Sequence, residues 1–374
     1  MRRSIPLARP FFTEEEVDAV RKTLESGWVA QGPRVKQFED EVANYCGAKH
    51  AIAVNSCTSG QHLSLLAHGI SKDDKVIVPD YTFTATGNVV LHVGAKPEIV
   101  DIDLDTLCMD VGQVEERIDE EVKAIMPVHT FGHPAEMNAL NKLAKKHNLA
   151  IIEDAASGLG SEIDGKKIGS FGNIACFSLQ ARKVITTGEG GMIVLDDDTL
   201  AENLRALRSQ GSFSPRRAKQ QGRIGLPVFR ILGFSYRMSD IQAAIGLVQL
   251  ERIEEFIKRR IYLADYYHDL IDDAKIDVKV PEPSDNIRHT YQAYVILVKG
   301  NKRNKVIMKL RERGIESTIG TYSLSALPLF KSKENNCPNG EYAFKHSLAL
   351  PMYHELAEDN IEYIVKNLKE TLKT

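Results

Sequence analysis

A lysine stands where a short connection between two strands would ordinarily carry neutral turn residues. In FSLQARKVITTGEGGMIV, Phe177 to Val194, the first and last residues read as buried strands, and Arg182 and Lys183 fall between them. Taken alone, such a lysine is a surface residue. In a partly desolvated, cation-rich site, however, its amine is more readily deprotonated and acts as a nucleophile, and Arg182 pushes in that direction. Gly188, Gly190 and Gly191 follow, and glycines permit the backbone angles and close approaches that a ligand loop needs. Their spacing matches neither a Walker A loop nor a dinucleotide fingerprint, so nucleoside triphosphate and nicotinamide chemistry are set aside.

Three further segments put polar residues at the ends of apolar runs, where open α/β sheets bind ligands. In NSCTSGQHLSLLAHG, Thr58 and Ser59 open a helix, and their hydroxyls with the local N–H groups form an anion site. Ser and Thr also cap helices without any ligand. In PDYTFTATGN, Phe83 can cover a flat ring or simply fill a core. In IIEDAASG, Asp154 ends an apolar run and needs a cationic or donor partner, and Ser157 lies three residues on. A structural ion pair serves Asp154 equally well in isolation. Ser178 sits at the end of the strand before Lys183. Lysine, carboxylate, ring cover and anion site together match pyridoxal 5'-phosphate (PLP), whose aldehyde condenses with a lysine and whose pyridinium nitrogen takes an Asp partner.

The elements that must position these residues are legible from pattern. Seven short apolar runs, AIAVNS, KVIVPD, KPEIVDI, AIMPVH, AIIEDA, IACFSL and GGMIVL, alternate with helical stretches such as AEMNALNKLAKKHN. That alternation predicts an α/β fold with a mostly parallel seven-stranded sheet covered by helices on both faces. Only a short segment separates the last two runs, so the final strand is expected to run antiparallel. Thr13 and Glu16 announce a first helix through a capping box, and a second runs from Pro33 to Gly47. From Ser239, SDIQAAIGLVQLERIEEFIKRRIYLADYYHDLI reads as one long helix leading out of the first domain. With 374 residues two domains are expected, a large one over 1–250 and a smaller α+β one over 251–374.

Composition excludes several classes of function. A net charge of -3 gives no global pull toward nucleic acid or anionic membrane. The five cysteines, Cys46, Cys57, Cys108, Cys176 and Cys337, are scattered without C-x-x-C spacing, which argues against disulfides and a metal site. No apolar run is long enough for a membrane span or a signal core, and a cytoplasmic location is expected.

The opening stretch, together with EDAASGLGSEIDGKKIGSFGN, GFSYRMSDIQAAIGLVQLERI, SGWVAQGP and PVHTFGHPAEM, resembles the DegT-type PLP-dependent aminotransferases that act on nucleotide-linked keto sugars. The likeness covers nearly the whole chain. It implies PLP fold type I and a homodimer with composite active sites. By position it makes Lys183 the lysine that holds the cofactor, Asp154 the partner of its ring nitrogen, Phe83 the stacking aromatic, and Thr58, Ser59 and Ser178 the phosphate ligands.

Three positions depart from the family pattern. Ser157 stands where Gln or His is frequent, Ser235 in GFSYR where Asn reaches the neighbouring subunit's phosphate, and Cys57 where Gly or Ser is usual. Related sugar 3-dehydratases carry His in place of Lys183, so the lysine implies transamination. Glutamate is the usual donor and a 4-keto-6-deoxyhexose the usual acceptor. On the resemblance alone Trp28 and His129 are substrate-contact candidates. A loop anchor and a backbone-bonded strand-end histidine are their respective alternatives. The basic run Arg216, Arg217, Lys219 and Arg223 either meets a pyrophosphate or is solvated. The rival functions are a PLP-binding sensor without turnover and a PLP enzyme of another type, a dehydratase or a desulfurase, for which Cys337 is expected to be exposed.

Overall fold

The computed structural model describes residues 3–172, 174–213, 226–332 and 335–373. The seven apolar runs become seven strands: β1 (His50–Val54), β2 (Lys75–Pro79), β3 (Lys96–Val100), β4 (Val122–Ile125), β5 (Ala150–Asp154), β6 (Ile174–Ser178) and β7 (Gly191–Leu195). They form one sheet in the order β1-β7-β6-β5-β4-β2-β3. All neighbours pair in parallel except β7, which runs antiparallel to both β1 and β6.

Register gathers the chemistry at one edge. Gly191 lies opposite Val54 on one side and Ser178 on the other, and Asp154 lies opposite Cys176. The carboxyl ends of β1, β5 and β6 and the start of β7 therefore share an edge, which is where open α/β sheets bind ligands.

The helices of this half, among the described residues, include α1 (Glu14–Ser26), α2 (Pro33–Cys46), α3 (Cys57–Ala67), α4 (Thr84–His92), α5 (Val111–Glu116), α6 (Met137–His147) and α7 (Asp198–Arg208). Alternate strand residues enter different cores, as the pleat requires. Ala51, Ala53, Ile151 and Phe177 pack with Phe38 of α2 and Leu140 of α6. Ile52, Val54, Ile174 and Cys176 face the other way, toward Leu63 of α3 and Leu204 of α7. Both faces are thus buried, which explains why the strands read as continuous apolar runs.

The long helix expected from Ser239 is two helices, α8 (Asp240–Glu251) and α9 (Ile253–Asp273). Arg252 separates them with φ -104 and ψ 3, off helical geometry. Its guanidinium lies over the rings of Phe11 and Phe256, 4.8 and 5.0 Å from their centroids. The apolar period continues across the break, so periodicity alone could not locate it.

A second core holds α9, α10 (Arg303–Glu312), α12 (Glu358–Leu372) and the antiparallel sheet β8 (Val278–Lys279), β9 (Tyr294–Val298), β10 (Thr318–Ile319) and β11 (Ser347–Leu350). Ile5 belongs to this core: its N–H donates to Gly314 O at 2.8 Å, and its carbonyl accepts from Glu316 N at 2.9 Å. Helix α11 (Pro338–His346) caps the junction. Among the described residues no helix is long and apolar enough to cross a membrane.

One buried carboxylate joins two of these helices. Asp240, fully buried at the start of α8, accepts from Gly32 N (2.7 Å), Arg34 N (3.0 Å) and Val35 N (3.0 Å) at the start of α2. Those N–H groups have no intrahelical partner, and the helix dipole favours an anion there. Asp240→Ala is expected to lower unfolding free energy by about 3 kcal/mol, and Asp240→Asn by less than half of that. Urea unfolding measures both, and an unchanged midpoint in the alanine variant would refute the bridge.

Candidate active site

The loop between β6 and β7 is built to hold one side chain. Leu179 N–H donates to Gly190 O at 2.9 Å, and Leu179 O accepts from Thr187 N at 3.0 Å and Thr186 Oγ1 at 2.9 Å. Gly188 adopts φ +83, a left-handed conformation that other residues take only with strain. At Gly191 a Cβ would come within 2.5 Å of Cys57 N, so only glycine lets β7 approach the start of α3. Lys183 sits in this pinned loop, its N–H donating to Gln180 O at 2.8 Å.

Lys183 Nζ donates to Ser157 Oγ at 3.1 Å and faces a cavity of about 500 Å³. Thr58, Phe83, Asp154, Ser157 and Ser178 line the same cavity. Burial depresses the Lys183 pKa; Cys57 and Asp154 oppose the shift, and Arg182 adds to it. Burial also pushes the Cys57 pKa well up, which keeps it a neutral thiol. The amine is therefore more available as a free base than an exposed lysine.

Asp154 closes β5 nearly buried, at 5% exposure. Its Oδ2 accepts from Thr86 Oγ1 of α4 at 2.7 Å and its Oδ1 from Ala156 N at 3.2 Å. Thr82 Oγ1 lies 2.8 Å from Thr86 Oγ1 and extends the chain of hydroxyls. The carboxylate is thus aimed by two donors while it lines the cavity. No ion pair within the described residues takes it up, although that was a fair alternative from sequence.

Phe83 precedes α4 with 62% of its surface exposed, its ring 6.2 Å from that of Tyr322. An aromatic so exposed fills no core, which leaves it free to cover a ligand ring. At the start of α3, Ser56 caps the helix by accepting from Ser59 N at 3.1 Å, and Thr58 lines the cavity.

Other candidates fall elsewhere. Ser59 does not line the cavity, and its hydroxyl lies 2.9 Å from Ser56 Oγ. Ser235 accepts from Arg237 Nη2 at 3.0 Å, away from this cavity. Trp28 is 61% exposed and outside the cavity, so it is not a buried anchor. The run Arg216, Arg217, Lys219 and Arg223 lies outside the described residues. Cys337, expected to be exposed, is 4% exposed and packs with Leu324 and Phe330, and burial pushes its thiol pKa far up. It therefore offers no persulfide carrier.

His129 is fully buried with both ring nitrogens engaged. Its Nδ1 accepts from Ala135 N at 3.1 Å, which leaves Nε2 to donate to Glu153 Oε2 at 3.0 Å. Glu153 Oε1 also accepts from Gly172 N at 2.6 Å. No nitrogen remains for a substrate, so the backbone-bonded alternative describes His129 better. Its side chain also packs against Gly158, where a Cβ would come within 3.1 Å of the His129 Cβ and 3.3 Å of the ring, and so supports the turn carrying Ser157.

Thr86 and Glu153 escaped sequence reasoning. Thr86 has no local signal, because its partner is 68 residues away. Glu153 had one: a second acid in an apolar strand must find partners.

Pyridoxal 5'-phosphate fits this set. The amine, the carboxylate, an exposed ring and the hydroxyl-bearing Ser56 and Thr58 at a helix start converge on one cavity, and Gln61 Oε1 in its wall is buried without a partner among the described residues. The profile of the DegT/DnrJ/EryC1/StrS aminotransferase family matches residues 10–369. The chain belongs to that family. GDP-perosamine synthase of Caulobacter vibrioides is 38% identical over 98% of this chain and 98% of its own. The spore coat polysaccharide biosynthesis protein SpsC of Bacillus subtilis is 35% identical over 99% and 97%. Among solved structures, the putative sugar aminotransferase Spr1654 of Streptococcus pneumoniae in its PMP form superposes with TM-score 0.93 at 28% identity, covering 99% of both chains. Its PLP form gives 0.92. The fold of this family member is that of the PLP fold type I aminotransferases.

The lowered Lys183 pKa has a thermodynamic sign. The unfolded chain titrates this amine near 10.4 and the folded chain at lower pH, so between those values the unfolded state binds more protons. Stability of the cofactor-free protein thus rises with pH across that window. Lys183→Met should remove this part of the slope and raise stability most below the folded pKa. Thermal unfolding of both proteins from pH 6 to 10 measures it; parallel profiles would refute a desolvated amine.

Proposed function

We propose that the protein is a PLP-dependent aminotransferase that moves an amino group from an amino acid, glutamate, to a nucleotide-linked keto sugar, a 4-keto-6-deoxyhexose. The carrying observation is that the desolvated Lys183 amine and the aimed Asp154 carboxylate face one cavity. Family membership and the names of the relatives support the substrate class. When bound, the cofactor supplies the carbon that accepts the amine and the electron sink that makes a neighbouring carbon acidic.

The chain's own residues do the rest. Lys183 Nζ would hold the cofactor and, as a free amine, would take a proton from the donor carbon and return one, as general base and acid. Ser157 Oγ orients that amine. Asp154 holds a protonated ring nitrogen, its own oxygens fixed by Thr86 and Ala156. Phe83 covers one ring face, and Thr58 and Ser178 hold the phosphate. In this reading Ser59 serves the phosphate with them, Ser235 stands toward the neighbouring subunit's phosphate in a homodimer with composite sites, the large domain spans 1–250 and the small one 251–374, and the enzyme works in the cytoplasm.

The purified protein is expected to be yellow, and glutamate should replace the visible band with that of the aminated cofactor. Lys183→Ala should lose the band's covalent character and at least a thousandfold of turnover, with keto-sugar amination followed by mass. A colourless protein would refute the enzyme reading, and a coloured one indifferent to every amino donor would favour a sensor.

A further inference from the structure

Arg182 lines the cavity beside Lys183, yet its side chain has no part in the scheme above. Its backbone is held from both directions. Its N–H donates to Gln180 Oε1 at 2.9 Å, and its carbonyl accepts from Gln292 Nε2 at 2.5 Å. Gln292 comes from the segment leading into β9, so the second core clamps the loop. The guanidinium itself is exposed and, among the described residues, forms no ion pair. Glu189 lines the same cavity and leaves Arg182 unpaired.

Five N–H donors on a rigidly seated backbone, in a residue that lines a reaction cavity, suit a planar anion that can be bonded twice. Besides the cofactor phosphate, already given to Thr58 and Ser178, the substrates bring two kinds of anion into this cavity under the aminotransferase reading, on which this inference rests: the carboxylate of the amino donor and the diphosphate of the sugar nucleotide. The donor's α-carboxylate is attached to the very carbon whose nitrogen must reach the cofactor at Lys183. The diphosphate is several bonds from the carbonyl that is aminated. Arg182 is the neighbour of Lys183, and its charge is felt at that amine.

Gln292 adds a second recognition element. Its Nε2 is committed to a carbonyl oxygen, so the amide orientation is fixed and Oε1 is an acceptor. That Oε1 is buried without a partner. Donors on Arg182 and an unmet acceptor on Gln292 match the two groups on an amino acid's α-carbon, a carboxylate and an N–H. A diphosphate carries no N–H.

We propose that Arg182 binds the α-carboxylate of the amino donor, with Gln292 holding the loop that presents it. The role is substrate binding, and no bond is made or broken at Arg182.

The test uses the holoenzyme and the variants Arg182→Met and Arg182→Lys. Calorimetric binding is measured for glutarate, as a carboxylate probe without an amine, for GDP and UDP, and for PLP on the cofactor-free protein. The glutamate concentration that half-bleaches the visible band is read separately. The methionine variant should weaken glutarate about tenfold or more, as for loss of a charged hydrogen-bonded pair, and raise the half-bleaching concentration equally. GDP, UDP and PLP affinities should stay within about twofold, and lysine should recover part of the loss. Weakened GDP or UDP with glutarate unchanged would assign Arg182 to the diphosphate and overturn the proposal. Weakened PLP alone would assign it to the cofactor phosphate, and no change in any arm would leave it a solvated side chain. A wild type that no amino acid bleaches would refute the aminotransferase reading itself, while the glutarate arm still reports on Arg182.

Discussion

The site depends on the antiparallel insertion of β7 between two strands that run the other way. This pairing brings Gly191 level with Val54 and Ser178, so the start of β7 and the ends of β1 and β6 meet at one edge. It also returns the chain at once after Lys183, and the loop is closed by its own backbone bonds rather than by a long crossover. The absence of a side chain at Gly191 is what allows the pairing beside α3, because any Cβ there would strike the backbone of Ser56 and Cys57. A parallel seventh strand would have required a helix-length connection, without the tight return that holds the lysine in place.

Given that frame, the electrostatics follow from burial and aim. An amine taken partly out of water holds its proton less tightly, and the neighbouring guanidinium adds to the effect. The carboxylate opposite is handled differently: two donors fix its oxygens without neutralising it. Beneath both, the Glu153 and His129 pair spends its hydrogen-bonding capacity internally and stiffens the strand end and the Ser157 turn. The inner pair gives the outer one its geometry.

Local signals made much of this legible. Seven apolar runs with helical spacers define the sheet, and the short segment between the last two implies the reversed strand. Lys183, Asp154, Phe83, Thr58, Ser157 and Ser178 follow because each closes or follows an apolar run, and strand ends converge. What stayed hidden depends on partners distant in sequence. Thr86 carries no pattern that points to Asp154, and the clamp from Gln292 on Arg182 spans 110 residues. The break at Arg252 lies inside an unbroken apolar period. Cys337 misled for a related reason: a polar segment around it reads as surface, yet it is tucked under Leu324 and Phe330.

The path of the first residues carries a consequence for how the molecule is made. Ile5 bonds to Gly314 and Glu316, and Leu7 O accepts from Met352 N at 3.0 Å. A chain emerging from the ribosome exposes Ile5 and Leu7 long before Gly314, Glu316 and Met352. This segment must wait unpaired until those partners are made, and its docking closes a very long loop. Contacts of such sequence separation form slowly. The seam between the two ends is therefore a late event in assembly, and the wall that Leu7 and Met352 contribute to the cavity is finished only then.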